Sequence, residues 1–275
     1  MKAQYGVARW PNEKEIYEKM ERLVNEPLHH IKPEAMAKYM KYFDEKCQGS
    51  KKMIEEAKKV IPGGVQHNLA FNYPFPLVVE KAEGAYLYDI DGNRYVDYLQ
   101  AGGPTLLGSN YEPVNQKVWE VVKESGPVTG LFHPYEKMLA EKIHECMPWV
   151  EMYRCLASGT EADMVAIRIA RTYTGKKNIV KAGGAYHGWS DQLVYSLHIP
   201  YTQTFEAHGI PKEVSANTKE FYPGDINSLR KILEENEKDG GTAAVIIEPF
   251  GPESGTRPVA MDFAAKVRVM NSRRF

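Results

Sequence analysis

Cysteine is scarce in this chain. Its three cysteines, Cys47, Cys146 and Cys155, form an odd and scattered set without metal-ligand spacing. That excludes a disulfide framework and a zinc module, and it fits reduced thiols in a cytoplasmic protein. A surplus of charge is missing too: 35 Lys and Arg face 36 Asp and Glu, for a net charge of -1. No electrostatic footprint for nucleic acid follows from that balance. No apolar run is long enough to cross a bilayer, and Met1-Lys2-Ala3-Gln4-Tyr5 lacks the apolar core of a signal peptide. There is no internal repeat, no low-complexity segment, no glycine-rich dinucleotide fingerprint and no phosphate-loop Lys-Ser/Thr. What remains is a soluble chain of 275 residues, long enough to bury a sizeable core in one or two domains.

Three regions differ in character. Residues 1–60 are charged and helical in pattern. Pro11 can open one helix that Pro27 interrupts, Pro33 suits the first turn of another, and Lys51 to Val60 predicts a third before Pro62-Gly63-Gly64. The plainer reading of this extension is a solvated one. Residues 61–100 predict a small antiparallel sheet: strands at Leu77 to Glu80, Ala85 to Asp89 and Tyr95 to Leu99, with Asp91-Gly92-Asn93 as a hairpin turn. From residue 101 to 275 strands and helices alternate. Strands are expected at Met152 to Ala157, Asn178 to Lys181, Gln192 to Ser196, Lys219 to Tyr222 and Thr242 to Ile247. Helices are expected from Pro113, Tyr135, Ala162 and Ile226, the last opened by Asp225. Such alternation argues an α/β fold with a mostly parallel sheet and helices on both faces, with ligands at the carboxyl ends of its strands.

One stretch carries the chemistry. Cys155-Leu156-Ala157 leads into the small turn Ser158-Gly159-Thr160, and apolar residues then fall at 162, 165, 166, 169, 170 and 173, a helical stripe. The unpaired N–H groups and positive dipole end of a helix start make an anion site. Gly159 lets a ligand approach the backbone, and Ser158 and Thr160 add hydroxyls. On local pattern alone an ordinary helix cap by Ser158 or Thr160 is the commoner reading of the same residues. Two further strand ends lie on the same sheet edge, Tyr186-His187 and Glu248.

Together, Pro62-Gly63-Gly64-Val65, Glu83 to Asp89, Asp91 to Tyr95, Ser158 to Ala162, Tyr186-His187-Gly188 and Ile247-Glu248-Pro249 resemble the class III aminotransferase family of pyridoxal-phosphate enzymes, fold type I. Within it the wording is most similar to the glutamate-1-semialdehyde 2,1-aminomutases. The resemblance implies pyridoxal 5'-phosphate as cofactor, with its phosphate on Ser158, Gly159 and Thr160 and Tyr186 stacked on its ring. It places His187 beside the ring or the substrate, and Gly103 and Glu253 on the substrate side. It implies a small amino acid or amino aldehyde substrate, no nucleic acid, no membrane and no metal, and a homodimer for the full-length relative. Glu253 departs from the aminomutases, which carry Asn there; related aminotransferases carry Glu. An aminotransferase moving an amino group from an amino acid to a keto acid or aldehyde is therefore the second reading, and a non-catalytic remnant the third.

The resemblance also implies what these residues do not supply. In the family, the Asp that pairs with the pyridine nitrogen and the Schiff-base Lys lie beyond the position of residue 275, as does the C-terminal small domain; Lys181 and Lys266 do not match the Schiff-base motif. Asp262 to Arg268 keeps family-like wording, whereas 269 to 275 does not. A one-base shift there would read Cys-Asp-Glu-Phe, similar to the family's continuation. The expectation is a truncated, frameshifted and inactive product with no catalytic residue of its own.

Overall fold

The computed structural model of the chain describes residues 12–125, 130–194 and 208–274. In order the elements are α1 (Glu13–Asn25), α2 (Pro33–Lys46), α3 (Gln48–Ala57), β1 (Val79–Glu83), β2 (Tyr86–Asp89), β3 (Arg94–Val96), α4 (Glu112–Ser125) and α5 (Pro134–Cys146). Then follow α6 (Gly159–Thr174), β4 (Asn178–Ala182), α7 (Asp191–Val194), α8 (Lys212–Ser215), β5 (Thr218–Phe221), α9 (Ile226–Glu237), β6 (Thr242–Ile246), α10 (Pro252–Gly255) and α11 (Phe263–Arg274). They divide into two compact units, one of residues 27–139 and one of 1–26 with 140–275.

In the unit of residues 27–139, β1, β2 and β3 form an antiparallel meander, as the turn chemistry predicts. Asp89 closes the β2–β3 hairpin by accepting the N–H groups of Asp91 at 3.0 Å and Asn93 at 2.7 Å. β3 ends at Val96, short of the predicted Leu99, because the Asp97 carboxylate accepts the N–H groups of Leu99 and Gln100 and bends the chain. Asp91 in turn caps α3. Its carboxylate accepts from Gly49 N–H at 2.6 Å and from the N–H and hydroxyl of Ser50 at 2.9 Å. Burial alone would push the Asp91 carboxyl up; these donors hold it below the usual value. Cys47, Ser50 and Ile54 are buried, so α3 is a packed element and not the solvated one expected of the extension.

The second unit holds the parallel sheet β5-β4-β6, with β4 central. Its alternation sends successive residues to opposite faces. One face of the sheet, with Val180 and Ala182, packs on Phe221, Leu229, Leu233, Phe263 and Val267, the contacts of α9 and α11. The other face sets Ile179 against Ile167 of α6 and Leu193 of α7. Each such side chain contributes about 1.5–3 kcal/mol when removed from water. The mostly parallel sheet with helices on both faces is thus as expected, and α9 starts at the expected Asp225, whose carboxylate accepts from Asn227 and Ser228. No helix among the described residues is long and apolar enough to cross a membrane.

Three local expectations are corrected. Met152 to Ala157 is not a strand: Met152 is 94% exposed, and the run meets no neighbouring strand to satisfy its backbone. Asp191 to Val194 is one helical turn, since the Ser190 carbonyl accepts from both Leu193 and Val194 and Leu193 turns into the core; 195 and 196 lie outside the described residues. On α6 the apolar stripe is not the buried face. Ile167 is buried, with Asp163, Ala170 and Arg171 half-buried beside it, whereas Ile169 is 62% exposed and Tyr173 more so. The sheet takes the line through 163, 167, 170 and 171, which carries Asp163 and Arg171 and shares only Ala170 with the apolar stripe.

Candidate functional site

β4 and β6 end at the same edge of the parallel sheet, β4 running into Gly183-Gly184 and β6 into Ile247-Glu248. The loop from β4 carries Tyr186, His187 and Gly188 and returns to α7. It lies against the start of α6. A Cβ on Gly188 would overlap the Thr160 hydroxyl and stand 2.8 Å from the Thr160 Cα, and Gly188 has φ +81°. Only glycine permits that approach in that conformation. The Trp189 N–H also points to the Thr160 hydroxyl, at 3.4 Å.

The start of α6 is capped and still leaves two amides without an acceptor among the described residues. Ser158 has extended backbone angles, and its Oγ accepts from Glu161 N–H at 3.2 Å while donating to the Glu161 carboxylate at 3.0 Å. The plain capping reading therefore holds for Ser158, worth about 1 kcal/mol. It does not use up the helix end. The N–H groups of Gly159 and Thr160 meet no acceptor among the described residues, and a Cβ built on Gly159 would have nothing within 4 Å. Those two amides and the Thr160 hydroxyl are the donors an anion would meet first. A cavity of about 590 Å³ opens beside them, lined by Ser158, Thr160 and Glu161 at the start of α6, by Trp189 and Ser190 of the returning loop and by Asp191 and Gln192 of α7.

Tyr186 is 54% exposed, so it is a presented ring and not a core aromatic. His187 is its opposite: buried, with Nε2 meeting no hydrogen-bond partner among the described residues. Burial pushes the imidazole below the ordinary histidine value; the Asp163 and Glu248 carboxylates oppose that shift and Lys181 adds to it. Burial likewise pushes the Asp163 carboxyl up, with His187 pulling it back. The structure thus places Ser158, Gly159, Thr160, Tyr186, His187 and Glu248 around one sheet edge. It adds two residues that the sequence reading left out, Asp163 and Lys181. Asp163 could have been found from its spacing, three residues after Thr160 and four before buried Ile167, which puts all three on one helical face. Gly103 lies in the other unit, with φ +115° and no atom within 4 Å of a built Cβ. Glu253 belongs to α10, and its side chain lies outside the described residues.

A buried neutral His gives a signed pH effect. Below about 6.5, the ordinary histidine value, the unfolded chain binds a proton that the folded chain resists. Stability is then full above that value and is lost as pH falls through it. Acidification from about 7.5 to 5.5 is expected to lower the denaturation midpoint more in the wild type than in His187→Gln, at up to about 1.4 kcal/mol per pH unit. Equal slopes in urea titrations at each pH would remove His187 as the cause.

The arrangement fits a phosphorylated aromatic ring: free helix-start amides for the phosphate, a half-exposed Tyr ring for the face, and an unpartnered buried imidazole nitrogen for a polar group. No group of three or more metal-ligating side chains occurs among the described residues. A model of the aminotransferase class-III family matches residues 69–274. A glutamate-1-semialdehyde 2,1-aminomutase from Campylobacter hominis is 39% identical over 223 residues, covering 79% of this chain and 48% of that protein. The chain spans about half the length of the curated relatives it matches. Among solved structures, a transaminase with pyridoxal phosphate bound superposes with TM-score 0.75 at 27% identity, over 82% of this chain and 53% of that one. An omega-transaminase from Sphaerobacter thermophilus gives TM-score 0.75 at 28% identity, over 84% and 54%.

Proposed function

The chain belongs to the class-III aminotransferase family, and from that premise we propose that its sheet edge is the phosphate- and ring-binding part of a pyridoxal 5'-phosphate site for amino-group transfer. The reading of that transfer is the one the aminomutase relatives suggest, conversion of glutamate 1-semialdehyde to 5-aminolevulinate. One observation carries it: the Tyr186–Gly188 loop seated on Thr160, beside two helix-start amides with no acceptor. Gly159 and Thr160 would hold the phosphate through those amides and the Thr160 hydroxyl, helped by the helix dipole. Ser158 keeps the helix start closed through Glu161. Tyr186 would fix the ring plane by stacking. His187 would offer Nε2, with Asp163 and Glu248 setting its proton. The cofactor, when bound, supplies the electron sink for bond breaking at an amino-bearing carbon.

A second reading, transfer from an amino acid to a keto acid or aldehyde, is favoured by Glu253, which stands where the aminomutases carry Asn. Dependence on a separate amino donor separates the two in a full-length family member, since a mutase needs none. For the chain of 275 residues the test is binding. Pyridoxal phosphate is expected to bind and to be displaced by inorganic phosphate. Tyr186→Leu should weaken it roughly three- to tenfold, the worth of an aromatic stack, and Tyr186→Phe should not. Absorbance titrations in which phosphate fails to compete, or Tyr186→Leu binds undiminished, would count against the site.

A further inference from the structure

A lysine fully removed from solvent in the central strand of a parallel sheet is costly unless its charge is met. Lys181 has 0% exposure. Its Nζ donates to the Leu193 carbonyl at 2.9 Å and pairs with the Glu220 carboxylate at 3.3 Å. Glu220 is its register partner on β5. Leu193 lies in α7, the single turn that receives the loop carrying Tyr186, His187 and Gly188. Two further bonds reach α7 from the body of the unit: Thr218 donates its hydroxyl to the Gln192 carbonyl at 2.8 Å, and Arg171 donates to the Gln192 side chain at 3.0 Å. The loop therefore leaves β4 one residue after Lys181 and comes back to a turn that Lys181 itself holds.

We propose that Lys181 is a positioning residue: bonded to Leu193 and paired with Glu220, it pins α7 and so fixes the loop that carries Tyr186 where Gly188 seats on Thr160. Lys181 reaches the loop through Leu193, and its charge also bears on the His187 imidazole. The consequence is selective. Phosphate meets amides that belong to α6 itself, whereas stacking depends on where the loop holds Tyr186. Loss of the pin should cost ring binding and spare phosphate binding. The ceiling on that cost is the whole stack, the same loss that Tyr186→Leu produces.

This inference rests on the proposed cofactor reading, and the experiment separates the two. Pyridoxal phosphate and inorganic phosphate are each titrated into the 275-residue chain as wild type, as Lys181→Met with Glu220→Met (so that neither charge is left buried alone), as Tyr186→Leu, and as all three changes together. The paired substitution is expected to weaken pyridoxal phosphate roughly three- to tenfold, leave phosphate affinity unchanged, and add nothing in the Tyr186→Leu background. Unchanged pyridoxal phosphate affinity, equal weakening of both probes, or full additivity with Tyr186→Leu would each overturn the assignment. A wild type that binds neither probe would overturn the cofactor reading and this one with it. If the paired variant does not fold, Thr218→Val removes the neighbouring bond to α7; it is expected to show a smaller loss with the same selectivity, and an unselective or absent loss overturns the proposal.

Discussion

Gly188→Ala is expected to abolish measurable seating of the Tyr186 loop, with a loss of about 2–5 kcal/mol in stability and at least roughly tenfold in pyridoxal phosphate affinity. Two costs add. A side chain at φ +81° costs about 1–2 kcal/mol for an L-residue. The new methyl would also stand 2.8 Å from the Thr160 Cα and 2.9 Å from its Cβ, backbone-bound atoms that cannot swing aside, and such overpacking costs about 1–3 kcal/mol. The loop can escape only by lifting off the helix start, which separates the ring face from the amides. Gly159→Ala is the matched comparison. It meets nothing within 4 Å and sits inside helical backbone, so it should hold or slightly raise stability. Urea denaturation and cofactor titration of both variants check this; a Gly188→Ala protein as stable as the wild type would show that the contact does not constrain the loop.

The second large effect is an absence of covalent attachment. Among the described residues, no lysine lines the cavity beside Ser158 and Thr160. Of the lysines near the sheet edge, Lys181 is held by Leu193 and Glu220, and Lys266 is an exposed partner of Asp262. Neither matches the family's Schiff-base motif. We therefore expect the 275-residue chain to release all of its pyridoxal phosphate on dialysis, and borohydride treatment to leave no stoichiometric pyridoxyl group on any single lysine peptide. Recovery of one such peptide in near-molar yield would refute the expectation and identify a reactive lysine the geometry does not favour.

The sequence was most legible where the signal is local. The Asp-Gly-Asn hairpin, the Asp225 cap and the strand at Asn178 follow from residues within a few positions of one another, and each stands in the structure. The alternation of strands and helices was equally informative, because it set the loops with Tyr186 and Glu248 at one sheet edge before any distance was known. What could not be read depends on neighbours distant in sequence. Lys181 and Glu220 are joined only by strand register, and a lysine in isolation reads as surface. The face of α6 was misread because hydrophobicity marks what prefers burial, whereas the sheet buries the line through Asp163 and Ile167, leaving Val165, Ile169 and Tyr173 outside. Met152 to Ala157 has apolar residues enough for a strand, yet a strand exists only where another edge accepts its hydrogen bonds.

The Asp91 cap has a bearing on how the chain can be divided. Residue 91 lies inside the stretch matched by the family and residues 49 and 50 lie before it. The Ser50 hydroxyl that donates to Asp91 also accepts the Val78 N–H, at 3.2 Å. A single hydroxyl thus ties the leading helix to the entry of β1 and to the tip of the next hairpin. Modularity in this protein does not follow the family boundary: α3 travels with the sheet, and so does α2, since Asn93 donates to the Lys46 carbonyl at 2.7 Å and Phe43 meets Phe75 edge-on.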